Sequence, residues 1–165
     1  MNPVRAWFVF MAALLTTAAF AASAATADGK TEIARFNQKL IQLHLNMDDA
    51  GILATWADDG VDLMPNQAPI VGKAAITAWM HNILASLHGY KVTKQEMDYH
   101  DIRVAGDWAS EWATVHQQVQ PPDGKPPIDS YGKIALVLRR GANGDWKIVQ
   151  EMWNNAPQPS APPKQ

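Results

Sequence analysis

Glu151 and Trp153 stand two residues apart in the closing run Trp146-Lys147-Ile148-Val149-Gln150-Glu151-Met152-Trp153-Asn154. On a β-strand that spacing puts a carboxylate and an indole on one face. Apolar surroundings disfavour the charged form of a carboxyl, which is what a general base near neutral pH needs. The pair therefore suits the wall of a ligand pocket. The same Glu151 would equally serve a cross-strand salt bridge to Lys133 or Arg139, a weak structural role.

A second chemistry-bearing run alternates Trp108, Ser110, Trp112, Thr114 and His116 with Ala109, Glu111, Ala113 and Val115. Both faces are mixed, so the pattern does not say which points inward. With the aromatic face inward, Trp112 and His116 line a cavity, and His116 is an acid/base with an ordinary pKa of about 6.5. With it outward, the same residues suit a subunit surface. His44 lies four residues after Leu40 on the inward stripe of a helix, where a lone His is either a hydrogen-bonded core residue or a catalyst. Tyr99, His100 and Asp101 are adjacent but alternate faces, so they form no cluster.

Other chemistries find little support. The chain has no Cys, no helical His-x-x-x-His pair and no calcium-type loop, so no metal is expected. Gly141-Ala142-Asn143-Gly144 reads as a hairpin turn and not a phosphate loop. There is no Gly-x-Ser-x-Gly elbow for a serine hydrolase. No cofactor is expected.

The elements that must position these residues follow from periodicity. Residues 1–27 read as a secretory signal peptide: Arg5 is the positive start, Trp7 to Phe20 is an apolar stretch too short to span a bilayer, and Ala22-Ser23-Ala24 and Ala25-Thr26-Ala27 are small-x-small cleavage sites. This predicts export to a periplasm or beyond, with no membrane association after cleavage. Because Arg5 is the leader's sole charge, the remainder nets −3, which argues against nucleic acid as a partner. Six of the 7 Trp follow the leader, a high number for one small domain. The spacing of Ile33, Phe36, Leu40, Leu43 and Met47 predicts a helix over 28–47. A short second helix runs from Asp48 or Asp49 to about Trp56. A short strand covers Val61 to Met64, broken by Pro65, and another covers Pro69 to Val71. A third helix covers Lys73 to Leu87 with Ile76, Met80, Ile83 and Leu87 on one stripe. From Tyr90 the period changes to two, predicting strands over 90–104 (bulged), 108–120, 129–140 and 145–155. Helices first and long antiparallel strands after define an α+β fold. Residues 157–165 form a Pro-rich tail expected to be disordered.

This order of elements, with Trp56-Ala57-Asp58-Asp59-Gly60-Val61, Pro65, Gly72-Lys73-Ala74-Ala75-Ile76 and the closing Gly-Asp-Trp-Lys-Ile-Val and Trp-Asn, resembles the nuclear transport factor 2-like superfamily. That superfamily includes SnoaL-like polyketide cyclases, steroid delta-isomerases, scytalone dehydratase and many secreted domains without an assigned activity. The resemblance spans about residues 30 to 156, and residues 28–156 would be the domain. It implies a cone: a strongly bent, mostly antiparallel sheet wrapped around three helices, with an apolar pocket at one end. It also implies a homodimer through the outer sheet face.

Matched against the steroid isomerases, the chain departs at each chemical position. Leu40 stands where their helix 1 carries a Tyr, Met64 where an Asp base precedes a Pro, and the region of Leu136 where a protonated Asp sits. Trp153 alone matches a pocket aromatic. If the fold holds, Asp62 faces the pocket with Met64, and Asp62, Glu151 and His116 become the candidate proton-transfer groups. Asp62 would otherwise be a solvated edge-strand residue or the partner of a Lys. Leu40, His44, Trp56, Met64, Trp79, Trp112 and Trp153 are the candidate ligand walls. The expectation is a domain binding a small, mainly hydrophobic molecule, with a proton-transfer lyase, isomerase or cyclase as the alternative.

Overall fold

A computed structural model describes residues 28–158. The expected signal peptide and the last residues of the Pro-rich tail lie outside the described residues. Helix α1 covers residues 28–45 and buries Ile33, Asn37 and Leu40, which recur at four- and three-residue spacing on one face. Helix α2, Asp49–Ala54, starts where the Asp48 side chain accepts from the N–H of Gly51. It stops earlier than its apolar spacing suggests. The Thr55 N–H and Oγ1 both turn back onto Ile52 O, and the next residue, Trp56, already opens a strand.

That strand, β1, is Trp56–Leu63, five residues longer at its start than the pattern predicts. The short β2 is Ile70–Val71 and α3 is Lys73–Ser86. Gly72 precedes α3 with φ of 87°, a backbone that favours glycine, and its N–H reaches back to Gly60 O at 2.7 Å. Along α3 the apolar stripe is buried mainly at its start: Ile76 is fully buried, while Ile83 is 41% exposed.

Four long strands follow: β3, Lys91–Ala105; β4, Trp108–Gln120; β5, Ile128–Arg140; β6, Trp146–Asn155. The six strands form one sheet in the order β2-β1-β6-β5-β4-β3. The pairings are antiparallel except β1 with β6, which run parallel. The sheet is curved, and its ladders carry the irregularities that bend strands. Register shifts fall between His100 and Arg103 on β3, where Asp101 takes φ of 53°, between Val137 and Leu138 on β5, and between Trp56 and Val61 on β1.

One face of the sheet is the core. Ala109, Ala113 and Val115 of β4, Ile134, Leu136 and Leu138 of β5, and Trp146 and Ile148 of β6 pack with Ile33, Leu40, Trp56 and Ile76. Ile33, Leu40, Ile76, Leu136, Leu138 and Ile148 are essentially inaccessible, each contributing about 1.5–3 kcal/mol through burial.

Candidate functional site

The inner face carries one transverse row of side chains through the middle of the sheet. Asp62 on β1 pairs with Glu151 on β6, Glu151 pairs with Leu136 on β5, and Leu136 pairs with Glu111 on β4. Directly paired residues project to the same side, so this register puts three carboxyls and one leucine on the inner surface. Asp62 is 3% exposed and Glu111 5% exposed, while Glu151 is half-buried. Asn37 of α1 covers the far end of the row, its Nδ2 donating to Glu111 Oε2 at 2.8 Å.

Burial raises the pKa of all three acids, because a carboxylate loses its hydration there. Asp62 is pushed up to about 6 by desolvation. Glu151 rises to about 8 by desolvation and then by the charge of Asp62 beside it. Glu111 rises to about 7 by desolvation, with the Asn37 hydrogen bond opposing. Near neutral pH the Asp62–Glu151 pair therefore holds one proton between two carboxyls. Tyr99 on β3 belongs to the same interior: its hydroxyl pKa is raised by burial and then by the charges of Glu111 and Glu151. Three oxygens here, Asp62 Oδ1, Glu111 Oε1 and Asn37 Oδ1, are buried without a hydrogen-bond partner.

The structure brings together only part of the set read from the sequence. Asp62 and Glu151 meet. Trp153 is half-buried against the core beside them, its ring lying in the space where a side chain at Gly132 would begin. Leu40 and Trp56 are core residues; Met64 and Trp79 are half-buried. His44 is half-buried, with Nδ1 bonded to Leu40 O at 2.8 Å. Since a carbonyl can only accept, that nitrogen carries the proton. Desolvation holds the ring's pKa below its ordinary value.

The inward placement of Trp112 and His116 is corrected. Ala109, Glu111, Ala113 and Val115 are the buried members of β4, so the alternate residues face outward. Trp112 is 43% exposed and tilts against His100 with ring centroids 4.3 Å apart. His116 stacks on Tyr131 at 4.3 Å and its Nε2 meets Asp129 Oδ1 at 2.7 Å. The sheet separates both from Asp62 and Glu151.

The sequence pattern gave no site role to Glu111, Asn37 or Tyr99. A signal existed for two of them. Asn37 interrupts the stripe Ile33–Leu40 at i+4 and i−3, and Glu111 interrupts Ala109, Ala113 and Val115 at period two. A polar residue on an apolar face is costly unless it is paired.

A groove of about 340 Å³ opens elsewhere, between α1, the end of α2 and the β5–β6 turn, lined among others by Glu32, Arg35, Lys39, Trp146 and Lys147. Its walls mix both charges, and neither Asp62 nor Glu151 reaches it. Among the described residues no group of three His, Cys, Asp or Glu is placed to hold a metal ion, and no helix is long and apolar enough to cross a membrane.

The family model described as a SnoaL-like domain matches residues 25–150. No curated protein matches the chain. Among solved structures, a ketosteroid isomerase-like protein from Erwinia carotovora atroseptica is similar with a TM-score of 0.65 at 16% identity, over 78% of this chain and 96% of that one. ActVI-ORFA from Streptomyces coelicolor is similar at 0.65 and 21% identity, over 76% and 96%. A Catenulispora acidiphila protein in complex with S-DNPA is similar at 0.62 and 15% identity, over 78% and 94%. At these identities the likeness is one of fold.

Proposed function

The chain belongs to the SnoaL-like domain family, and from that premise we propose that it binds a small, mainly apolar molecule on the inner face of its sheet and moves a proton on it through Asp62 and Glu151. The observation that carries this reading is the pairing of Asp62 with Glu151 on one face, both with raised pKa values. Two such carboxyls divide into one base and one acid near neutral pH. The ionised member takes a proton from the carbon next to a ligand carbonyl. The protonated member gives its proton to the carbonyl oxygen, forming an enol. In an unsaturated ligand the first carboxyl then delivers its proton to a different carbon while the enol hydroxyl returns its own to the second carboxylate, yielding an isomer. If instead a neighbouring leaving group departs with its electron pair, it takes the proton held by the first carboxyl and the enol hydroxyl returns its own to the second, completing a lyase step. The Catenulispora neighbour holding a small molecule supports the ligand-binding half of the reading.

A binding role without chemistry is favoured by a separate observation. Leu40, Met64 and Leu136 are apolar, and Asp62 is almost inaccessible. Substitution separates the two. Asp62→Asn and Glu151→Gln would each cut turnover by about 10²–10⁴-fold for a ligand that both variants still bind. If both keep full turnover, or no bound ligand is ever converted, the reaction is ruled out and binding remains.

Two further parts belong to the same proposal. The apolar leader read in residues 1–27 makes the domain exported, periplasmic or secreted; N-terminal sequencing of extracytoplasmic protein should begin near Ala25 to Asp28. Two copies pair through the outer face of the bent, cone-like sheet, where Trp108 and Trp112 are 48% and 43% exposed.

A further inference from the structure

We propose that the groove between α1, the end of α2 and the β5–β6 turn is a second ligand site, which takes a small carboxylate carrying a compact apolar body. Neither Asp62 nor Glu151 lines it, so the site stands independently of the reaction proposed above. Its volume of about 340 Å³ falls at the small end of ligand pockets.

The charges on its walls do not cancel. Three cations, Arg35, Lys39 and Lys147, line the groove together with two acids, Glu32 and Asp145. Glu32 is already committed: its Oε2 accepts from Arg140 at 2.6 Å and from Trp146 Nε1 at 2.9 Å. Asp145 accepts from Asn143, which carries no charge, and so offsets only one of the three cations. Arg35 and Lys39 are exposed, and neither side chain makes a hydrogen bond or ion pair to another described residue. Lys147 gives one N–H to Ala54 O at 2.8 Å, and its ammonium keeps two more donors. A positive surplus with free N–H groups, one of them an Arg fork, complements a carboxylate.

The cations reach the groove from two elements. Arg35 and Lys39 are four apart on α1 and share one helix face, while Lys147 comes from the start of β6. Phe36 and Trp146 supply apolar wall. Trp146 is locked there by Glu32 and by the Arg140 guanidinium, 4.5 Å from its ring centroid. A wall held in place before binding lowers the cost of ordering it. Exposed charge contacts are individually weak, so a bare anion gains little. An apolar body against Phe36 and Trp146 adds the burial that an anion alone lacks.

Calorimetric titration of the full chain with 2-naphthoate tests this. Arg35→Gln with Lys39→Gln should weaken naphthoate binding roughly tenfold, the worth of two exposed charge contacts acting together. Raising the salt to about 1 M, where the screening length is about 3 Å, should weaken binding to the wild type comparably. Affinity for the uncharged 2-naphthol should change by less than about twofold in the double variant, and so should naphthoate affinity in Glu151→Gln. Lys39→Gln alone should cost about threefold and serves if the double variant does not fold. Absence of naphthoate binding to the wild type, or an affinity unmoved by loss of the cations, would overturn the site. So would an equal loss for 2-naphthol, which would make the effect structural, or a loss in Glu151→Gln, which would place the naphthoate on the inner face of the sheet.

Discussion

Asp62 and Glu151 face each other across the parallel pairing of β1 with β6, so two acids that lie 89 positions apart in the chain share one desolvated surface. Like charges at that spacing cannot both ionise without cost. The protein therefore carries a proton-holding pair inside its sheet.

Stability should fall as pH rises from about 4.3, where the unfolded carboxyls ionise, to about 8, where the last folded one does. Glu111 and Glu151 titrate near 7 and 8 when folded, but near 4.3 when unfolded. A raised carboxyl pKa means the folded state binds the proton more tightly. Its contribution is fully present below the unfolded value and is lost as pH climbs through the folded one. The slope reaches about 1.4 kcal/mol per pH unit for each such proton. His44, with its lowered pKa, acts in the opposite sense only as pH falls below about 6.5. Thermal melts across the series check this, and Glu151→Gln should flatten the decline. A melting temperature that rises with pH over this window would contradict the burial of these acids.

Turnover of a substrate should follow a bell-shaped pH profile with limbs near 6 and 8, belonging to the Asp62–Glu151 pair jointly. Asp62→Asn or Glu151→Gln should cut the rate by about 10²–10⁴-fold. A profile whose limbs are unmoved in both variants would assign the chemistry to other groups.

Gly132→Ala should destabilise the domain by about 1–3 kcal/mol, because the new methyl would occupy the place of the Trp153 ring. The displaced indole should also change the intrinsic fluorescence. An unaltered melt and spectrum would mean that Trp153 is loosely held and is a poor pocket wall.

Trp108→Glu with Trp112→Glu should leave the melting temperature nearly unchanged and yield a monomer in sedimentation, since both indoles are exposed on the outer face. A wild-type protein that already sediments as a monomer would remove the proposed pairing.

The long strands were legible because period-two alternation is a local property. Trp108–Gln120 begins and ends as predicted, and the other three long strands differ by only a residue or so at either end. The start of β1 was not legible. Ile52, Leu53 and Trp56 fit helical spacing, but Thr55 folds back onto Ile52 and Trp56 joins the edge of β6 instead. A strand recruited by a partner 92 positions away leaves no mark in its own neighbourhood. The candidate site divides the same way. Glu151 and Trp153 share a face by spacing alone, and Asp62 was singled out only through the family resemblance.

The sequence by itself determined the fold class, the family and the presence of a carboxylate beside an indole, since composition, periodicity and short motifs all lie within a few residues of one another. Tertiary structure decided which carboxyls meet. It turned Trp112 and His116 outward, set Asp62 against Glu151, and placed Asn37 of the first helix over Glu111 on β4. Those outcomes depend on strand order, on register and on which face the helices cover. Each is set by burying the whole apolar surface at once, and no local pattern encodes that.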